Sequence, residues 1–233
     1  MGENTIRVMR LYLGHLDNGP VMPVLPLNGY AISSGRDVVL VDTGIGDAAV
    51  GVMQSYAAEW RMSVRSIDEA LADHGLEVGD ITYLVSTHLH LDHFGQHAAL
   101  KGTPFVVQAA ELARARRETP ILGEFFEFSG AVITEVDGDQ DLVDGVRLLA
   151  TPGHTIGHQS LLVTHGDGTT DLLVGDAAYS AAIWEQPSIM GPDHPAVHMQ
   201  IGEPAHWSDT LDRLRELHAT RLHFCHDPII LAG

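Results

Sequence analysis

The segment Ser86–His93 reads Ser-Thr-His-Leu-His-Leu-Asp-His, and its last six residues include four side chains that can bind metal. The segment follows an apolar stretch that we interpret as a β-strand, so its polar side chains emerge where the chain turns. In an extended chain, residues two apart point to the same side, so His88 and His90 can bind one ion. Asp92 and His93, after the turn, can face a neighbouring ion. The spacing therefore predicts two adjacent metal sites.

Three later segments supply the remaining donors, and each follows an apolar stretch. His154 lies in the turn Thr-Pro-Gly-His-Thr-Ile-Gly, whose Pro and Gly restrict the backbone, and it completes a three-histidine site. Asp176 ends Leu-Leu-Val-Gly-Asp, and a carboxylate can bridge two ions that lie about 3.5–4 Å apart. The last segment, Arg-Leu-His-Phe-Cys-His-Asp, offers both His223 and His226. Only one of the two is expected at the site, and its position at the strand end favours His226.

The motifs THLHLDH, PGHTIGH, GDAAY and FCHD, preceded by VDTG, occur in the order typical of the metallo-β-lactamase superfamily. The chain resembles that family from Asp42 to Asp227. The resemblance implies an α/β (α+β) fold, a four-layer αββα sandwich, and it also implies how the ligands are shared. One metal is bound by His88, His90 and His154, the other by Asp92, His93 and His226, and Asp176 bridges them.

Three further residues are expected to support the ligands. Asp42 resembles the family's buried aspartate beside the site, and a carboxylate there would orient a ligating imidazole and raise its basicity. His158 and Asp227 lie close to ligands in the sequence. Each of these two either supports a ligand in the same way or only satisfies nearby backbone groups.

The expected ligands are imidazoles and carboxylates without a thiolate. This set suits zinc best, and it leaves iron, manganese and cobalt chemically acceptable. Two divalent metal ions are therefore the expected cofactors, with Zn2+ favoured. Coordination lowers the pKa of water toward about 7, which supplies hydroxide near neutral pH. The residues therefore predict a metal-dependent hydrolase.

Tyr179 carries the inference about the substrate. It stands three residues after Asp176 in Gly-Asp-Ala-Ala-Tyr, and this arrangement resembles that of N-acyl homoserine lactone lactonases, in which the tyrosine hydroxyl contacts the substrate carbonyl. The resemblance implies opening of a lactone ring, and hence quorum quenching, by a hydroxide between the metals. Tyr179 would donate to the oxyanion, and Asp92 would assist the leaving alkoxide. A tyrosine that only packs in the core is the alternative.

Three other functions stay open at this point. A hydroxyacylglutathione thioester hydrolase uses nearly the same ligands, and organophosphate or aryl-ester hydrolysis needs only a different pocket. A non-catalytic metal-binding module is the alternative from another class. Cleavage of nucleic acid is disfavoured because the chain carries 13 Lys and Arg against 31 Asp and Glu. The resulting formal net charge of −18 repels phosphates.

The composition favours one folded unit. The chain has 233 residues, of which 45% are hydrophobic, and no linker-like stretch divides it, so a single domain over residues 1–233 is expected. We find no signal peptide and no apolar run of membrane-spanning length, which predicts a cytoplasmic protein without a membrane partner. The single cysteine, Cys225, allows no intrachain disulfide. The expected partner is a small ester or lactone substrate, and the oligomeric state, a homodimer included, is open.

Short β-branched stretches predict the strands that position these motifs, with helices between them. The helix at Ser66–Gly75 is marked by a capping box formed by Ser66 and Glu69, and by a terminal glycine. The stretch Ala178–Trp207 is interpreted either as a long ordered loop over the site or as irregular surface cover. The predicted strands are Ile6–Leu13, Tyr30–Ser33, Val38–Asp42, Ile81–Ser86, Ala131–Val136, Val146–Thr151, Leu161–Thr164, Leu172–Val174 and Arg221–Cys225.

Two further helices are predicted at Ala109–Arg117 and Ser208–His218. An acyl tail on the substrate would need an apolar cleft. The residues expected to line it are Met53, Tyr56, Trp60, Met62 and the segment Trp184–Met190, and packing in the core is the alternative for all of them.

Overall fold

Two mixed β-sheets form the centre of the computed structural model, which describes residues 5–17, 19, 24–56, 58, 60–190 and 201–233. The strands of the first sheet are β1 (Arg7–Asp17), β2 (Leu25–Ser34), β3 (Asp37–Val41), β4 (Arg61–Val64), β5 (Tyr83–Val85), β6 (Pro104–Gln108) and β7 (Val132–Val136). They lie in the order β4-β1-β2-β3-β5-β6-β7. The four strands from β3 to β7 in this order are parallel to one another.

The second sheet follows in the chain. Its strands are β8 (Gln140–Val143), β9 (Val146–Ala150), β10 (Gln159–Thr164), β11 (Thr170–Gly175), β12 (Arg221–Phe224) and β13 (Ile230–Ala232), in the order β13-β12-β11-β10-β9-β8. Only β11 and β12 pair in parallel among these described strands, and the other pairs are antiparallel.

Helices connect and cover the strands. They are α1 (Asp47–Tyr56), α2 (Ile67–Ala72), α3 (Leu91–Phe94), α4 (Ala109–Glu118), α5 (Gly123–Phe126), α6 (Ala181–Glu185) and α7 (Pro204–Glu216), with 3-10 turns at Val78–Asp80, His97–Leu100, Pro120–Leu122 and Pro187–Met190. Within the described ranges, none of these helices combines the length and the apolar character needed to cross a bilayer.

Apolar side chains pack in three separate cores. Side chains alternate along a strand, so a sheet that is covered on both faces buries both sets. In β3, Val39 and Val41 pack between the two sheets, while Leu40 packs with the helices outside the first sheet. In β11, Leu173 packs between the sheets, while Leu172 packs with residues of α6 and α7. Three cores separate four layers, and this confirms the predicted four-layer αββα sandwich.

The segments that carry the candidate ligands share one position relative to the sheets. Strands β3 and β5 are parallel, and β9, β11 and β12 also run in one direction. Each is followed directly by a predicted site segment, so the site gathers at the carboxyl ends of these strands. The two sheets are joined there, because Asn28 and Tyr30 of β2 donate hydrogen bonds of 3.4 and 2.8 Å to the carbonyl oxygen of Phe224 in β12.

Most predicted elements are confirmed, with shifted ends. Ser66 caps α2 through the predicted capping box with Glu69, and Gly75 takes a positive φ of 73°. Sequence patterns miss β4, β6, β8, β13 and α1. The long-loop interpretation of Ala178–Trp207 is wrong where α6, a 3-10 turn and the start of α7 lie, and residues 191–200 of that stretch lie outside the described residues.

Candidate metal centre

Three imidazole nitrogens converge on one point. The Nε2 atom of His88 lies 3.0 Å from Nδ1 of His90 and 3.1 Å from Nε2 of His154, and the latter two atoms are 2.9 Å apart. Each nitrogen carries either a hydrogen or a lone pair. Since two of the three must be alike, the three contacts cannot all be hydrogen bonds. A cation at the centre would satisfy all three, and we call these residues the three-histidine half of the site.

A second group lies beside the first. Oδ2 of Asp92 is 3.6 Å from Nε2 of His93 and 3.6 Å from Nε2 of His226. These distances are too long for hydrogen bonds between the side chains, yet the donor atoms all lie within 4.8 Å of one another. We call Asp92, His93 and His226 the carboxylate half.

Asp176 lies between the two halves. Its Oδ2 atom is 3.4 Å from Nε2 of His154, and its Oδ1 atom is 3.4 Å from Nε2 of His226. The side chain is almost fully buried. Oδ2 is also 3.4 Å from Nε2 of His93, so the carboxylate lies against ligands of both halves, as a carboxylate that bridges two ions must.

Asp42 holds the carboxylate half from behind. Its Oδ2 atom is 2.8 Å from Nδ1 of His93, which leaves Nε2 of that ring directed at the site. The same carboxylate accepts hydrogen bonds of 2.8 and 2.7 Å from the backbone and the hydroxyl of Thr87. Asp42 adopts a φ of +58°, a conformation that asparagine and aspartate tolerate better than other residues with a side chain. It therefore fixes a ligand ring and the first turn of the Ser86–His93 segment together.

Other contacts set which ring nitrogen faces the site. Because the Thr87 hydroxyl donates to Asp42, it accepts from Nδ1 of His88 at 3.1 Å, and Nε2 of that ring is left with its lone pair. Similarly, Nδ1 of His226 lies 3.0 Å from the carbonyl oxygen of Pro26 and donates to it. In its neutral form, each ring therefore presents an unprotonated Nε2, which is the form that binds a metal.

His158 contacts backbone and also packs near the rings of His88 and His154, with centroids 5.5 and 6.2 Å away, whereas Asp227 contacts backbone. Nε2 of His158 accepts a hydrogen bond of 2.9 Å from the backbone nitrogen of Asp176, so it fixes the start of the bridging residue. Asp227 accepts from the backbone nitrogens of Ala181 and Ile229 at 3.1 and 2.9 Å. Of the two, His158 acts on a ligand residue directly, and Asp227 satisfies local backbone groups.

His223, the alternative to His226, lies away from the site. Its Nε2 atom is 2.7 Å from Oδ1 of Asp171, a carboxylate that also binds Arg221 at 2.6 Å. His226, which follows the end of β12, lies with Asp92 and His93 instead, in agreement with the expectation from its position.

The two halves differ in how readily their imidazoles take up protons. Burial lowers the pKa of His88 well below its ordinary value, with neighbouring imidazoles acting the same way, and burial lowers the pKa of His90 to about 4. Burial also opposes protonation of His93, but Asp176 and Asp92 outweigh it and raise its pKa well above the ordinary value. The pKa of His226 is raised against the same penalty by Asp176.

Tyr179 spans the two halves. Its ring packs edge-on against the rings of His154 and His226, with centroids 5.6 and 5.0 Å away. Burial, followed by the charges of Asp176 and Asp92, raises the pKa of Tyr179 well above its ordinary value. The phenol therefore keeps its proton at neutral pH and can donate it in a hydrogen bond.

A cleft of about 610 Å³ opens above the ligands. Met53 and Trp60 line it, as predicted. Met62 instead packs against the core beneath the first sheet, and the side chain of Tyr56 lies outside the described part. The Trp184–Met190 prediction is wrong at both ends, because Trp184 and Met190 are buried in the core of the second sheet. There Trp184 packs on Phe224, with ring centroids 6.5 Å apart.

Sequence patterns also miss a buried ion pair beside the ligand segments. Glu111 is fully buried in α4, and its Oε1 atom lies 2.6 Å from Nη2 of Arg114. Charged residues next to the apolar Leu112 and Ala115 are the only hint of it in the sequence. The pair contacts the segment of His90 through Leu89 and the turn of His154 through Gly157.

The donor set fits two divalent cations. All seven predicted ligands lie at this one site, and groups of three ligand atoms within 4.8 Å form around each half. Oxygen and imidazole donors without a sulfur suit zinc and the neighbouring first-row metals. Cys225 is buried 4.0 Å from Oδ2 of Asp42, behind the ligands.

Residues 22–226 match the metallo-beta-lactamase superfamily. An N-acyl homoserine lactonase from a Bacillus species is 35% identical over 169 residues, which cover 69% of this chain and 67% of that protein. A solved N-acyl homoserine lactone hydrolase, with the product N-hexanoyl-L-homoserine at its catalytic metal centre, has a TM-score of 0.77 and 26% identity. The match covers 98% of this chain and 95% of that one. The dizinc quorum-quenching lactonase AidC shares the fold at a TM-score of 0.70 and 14% identity, over 98% and 90% of the two chains.

Proposed function

Because the chain belongs to the metallo-beta-lactamase superfamily, we propose that it is a dinuclear metal-dependent hydrolase that opens the lactone ring of N-acyl homoserine lactones. The observation that carries this proposal is Tyr179, whose protonated phenol lies between His154 and His226. A lactone carbonyl held over both halves would meet a neutral donor at that point. The described activities of the relatives support the same substrate.

The residues that would hold the ions follow from the donor geometry. His88, His90 and His154 would hold one ion, Asp92, His93 and His226 the other, and Asp176 both. When bound, two divalent ions supply hydroxide from water near neutral pH and polarise the carbonyl of an ester. We propose zinc for both positions, because imidazole and carboxylate donors suit it and no thiolate takes part.

The side chains of this chain have separate tasks in ring opening. Tyr179 donates a hydrogen bond to the carbonyl oxygen, and this bond strengthens as the oxygen gains negative charge. Asp92, with its side chain partly exposed at the cleft floor, is placed to take a proton that originates from the attacking water and to pass it to the ring oxygen as the carbon–oxygen bond breaks. That proton converts the leaving alkoxide into the hydroxyl group of the product. Met53 and Trp60 offer an apolar wall for the acyl tail.

We also propose that the protein works in the cytoplasm on a small-molecule substrate. Its single cysteine is a buried thiol, which suits a reducing compartment. The net charge of −18 argues against a nucleic-acid substrate.

The test is a measurement of metal content together with lactone turnover. The chain is purified with its native metal, the metal per chain is measured, and proton release is followed with N-acyl homoserine lactones of short and long tails. Tyr179→Phe is expected to lower kcat about 10²-fold, the cost typical of one lost oxyanion donor, at unchanged metal content. Tyr83→Phe, in β5 and remote from the cleft, is the matched control and should behave as the unaltered protein.

Two results would contradict the proposal. Two metals per chain without turnover of any lactone would reject the substrate and direct attention to thioesters and phosphotriesters. Full activity of Tyr179→Phe would reject the role of the phenol.

A further inference from the structure

Helix α4 carries a buried ion pair whose partners are the backbones of two ligand segments. Glu111 is fully buried and Arg114 is 8% exposed. Oε1 of Glu111 accepts hydrogen bonds of 2.6 and 3.2 Å from Nη2 and Nε of Arg114. Both residues also form hydrogen bonds with other parts of the chain.

The first backbone contact is to Leu89, the residue between His88 and His90. Its nitrogen donates to Oε1 of Glu111 at 2.8 Å, and its carbonyl oxygen accepts from Nη2 of Arg114 at 3.1 Å. Both polar groups of this one peptide residue are therefore taken by the pair. The orientation of Leu89 decides where its two neighbouring histidines point.

The second backbone contact is to the turn that carries His154. The nitrogen of Gly157 donates to Oε2 of Glu111 at 3.3 Å. A Cβ atom at position 157 would lie 2.1 Å from the backbone nitrogen of Glu111, so only glycine permits this approach. One carboxylate thus joins the His88–His90 segment to the His154 turn.

A gain in folding stability does not by itself explain why the charges of Glu111 and Arg114 are buried. Taking two charges out of water costs free energy that their attraction often fails to recover, and apolar replacements of similar size are frequently as stable. The exposed pair of Arg116, on the same helix, and Glu127, just after α5, has 2.7 Å between Nη2 and Oε1 and has no described contact with either segment.

We propose that Glu111 and Arg114 are positioning residues of the three-histidine half, which set the spacing of His88, His90 and His154 by holding Leu89 and Gly157. The inference rests on the proposed function only in that these histidines bind a metal. It does not depend on the substrate. The carboxylate half is supported differently, since Asp42 contacts the ring of His93 itself.

The experiment measures metal affinity rather than activity alone. Equilibrium competition between the chain and a chromophoric chelator is followed for Zn2+, and the visible spectrum is recorded with Co2+ as the probe. Arg114→Met removes the guanidinium and keeps an unbranched apolar side chain in place of the arginine stem. We expect it to lower the affinity for one of the two ions by about 10- to 100-fold, as changes around metal ligands usually do. The spectrum of cobalt bound at that position should also change. Arg116→Met, the control on the same helix, should leave both affinities and the spectrum unchanged.

A second variant distinguishes a loss of metal affinity from unfolding of the protein. Glu111→Gln combined with Arg114→Met removes both charges, so no uncompensated charge stays buried and the fold should persist. The same selective loss of one ion is expected. Arg114→Lys, which keeps the charge but not the two-pronged geometry, should restore affinity only in part.

Each outcome decides the matter. A lower melting temperature with both metal affinities unchanged would reduce the pair to a structural role and overturn the proposal. An equal loss of affinity for both ions would also overturn the proposal. An unaltered protein that binds two metals without lactone turnover would sink the proposed substrate and leave this test intact.

Discussion

The two halves of the metal centre have the same number of ligands but opposite responses to protons. The three-histidine half contains only imidazoles, and burial lowers the pKa values of His88 and His90. The carboxylate half adds Asp92, and the charges of Asp176 and Asp92 raise the pKa of His93. The comparison teaches that a metal entering the carboxylate half must displace protons from His93 and His226, whereas His88 and His90 are already deprotonated at neutral pH. Asp176 is the residue that both halves share.

The largest expected effect comes from removing the shared charge. Asp176→Asn keeps the shape of the side chain but cannot bridge two cations as a carboxylate does, so both ions should be lost or weakened together. Since each ion contributes several kcal/mol to the reaction, lactone turnover should fall on the order of 10³-fold or more. Metal analysis and initial rates measure this. Asp141→Asn, an exposed carboxylate in β8, is the control, and retention of both ions by Asp176→Asn would break the idea of a shared bridge.

A smaller, one-sided effect is expected from Asp42→Asn. Asparagine tolerates the positive φ at this position, so the change mainly removes the charge behind His93. The ion in the carboxylate half should bind about 10- to 100-fold more weakly, and the other ion should be unaffected. Chelator competition, with histidine-labelled NMR to identify the half, measures this. Equal weakening of both ions would mean that the halves are not independent.

The metal-free protein should show the opposite proton responses directly. His90, with a pKa of about 4 against an ordinary 6.5, contributes stability that is present above pH 6.5 and is lost as the pH falls from 6.5 towards 4. The slope for one proton is at most about 1.4 kcal/mol per pH unit. His226, whose pKa is raised, contributes stability that is present below pH 6.5 and is lost as the pH rises through its folded value.

NMR titration of the imidazole ring signals in metal-free protein checks this prediction. The ring of His90 should titrate near pH 4, and those of His93 and His226 above pH 6.5. Calorimetry of metal binding at pH 7 in buffers of different ionisation enthalpy should then detect proton release from the carboxylate half. Identical titration of all these rings would remove the contrast between the halves.

The smallest expected effect belongs to Asp227, which supports neither half directly. Asp227→Ala removes the acceptor for the backbone nitrogens of Ala181 and Ile229, at about 0.5–1.5 kcal/mol for a hydrogen bond. The free energy of unfolding measured in urea should fall by roughly that amount for each lost hydrogen bond, with both ions retained. Loss of a metal in this variant would assign Asp227 to the site after all.

The ligand segments can be read from the sequence because each is local. His88, His90, Asp92 and His93 stand within six residues, and the other donors follow apolar strands whose ends meet at one edge of the sheets. Short-range patterns are sufficient for such residues. The αββα layering, in contrast, came from family resemblance, since alternation along strands predicts burial but not which layer covers a face.

What could not be predicted depends on contacts between distant parts of the chain. Glu111 and Arg114 look like ordinary charges of an amphipathic helix until Leu89 and Gly157 are placed beside them. Trp184 and Met190 are large apolar residues near a site motif, and nothing in their spacing separates a cleft wall from a core. Helix α1 was missed because Gly51 in its middle weakens the helical signal.

The hydrogen bond that joins the two sheets, from Tyr30 of β2 to Phe224 of β12, bears on the order in which the chain folds. Tyr30 and Phe224, joined by a hydrogen bond, are 194 residues apart in the sequence. Closing so large a loop costs entropy that only later contacts recover, so strands β2 and β12 should meet late. His226 can join its partners only after that meeting. Capture of a second metal ion during refolding would therefore report the final step of chain assembly, and its rate would measure how slowly the two sheets find each other.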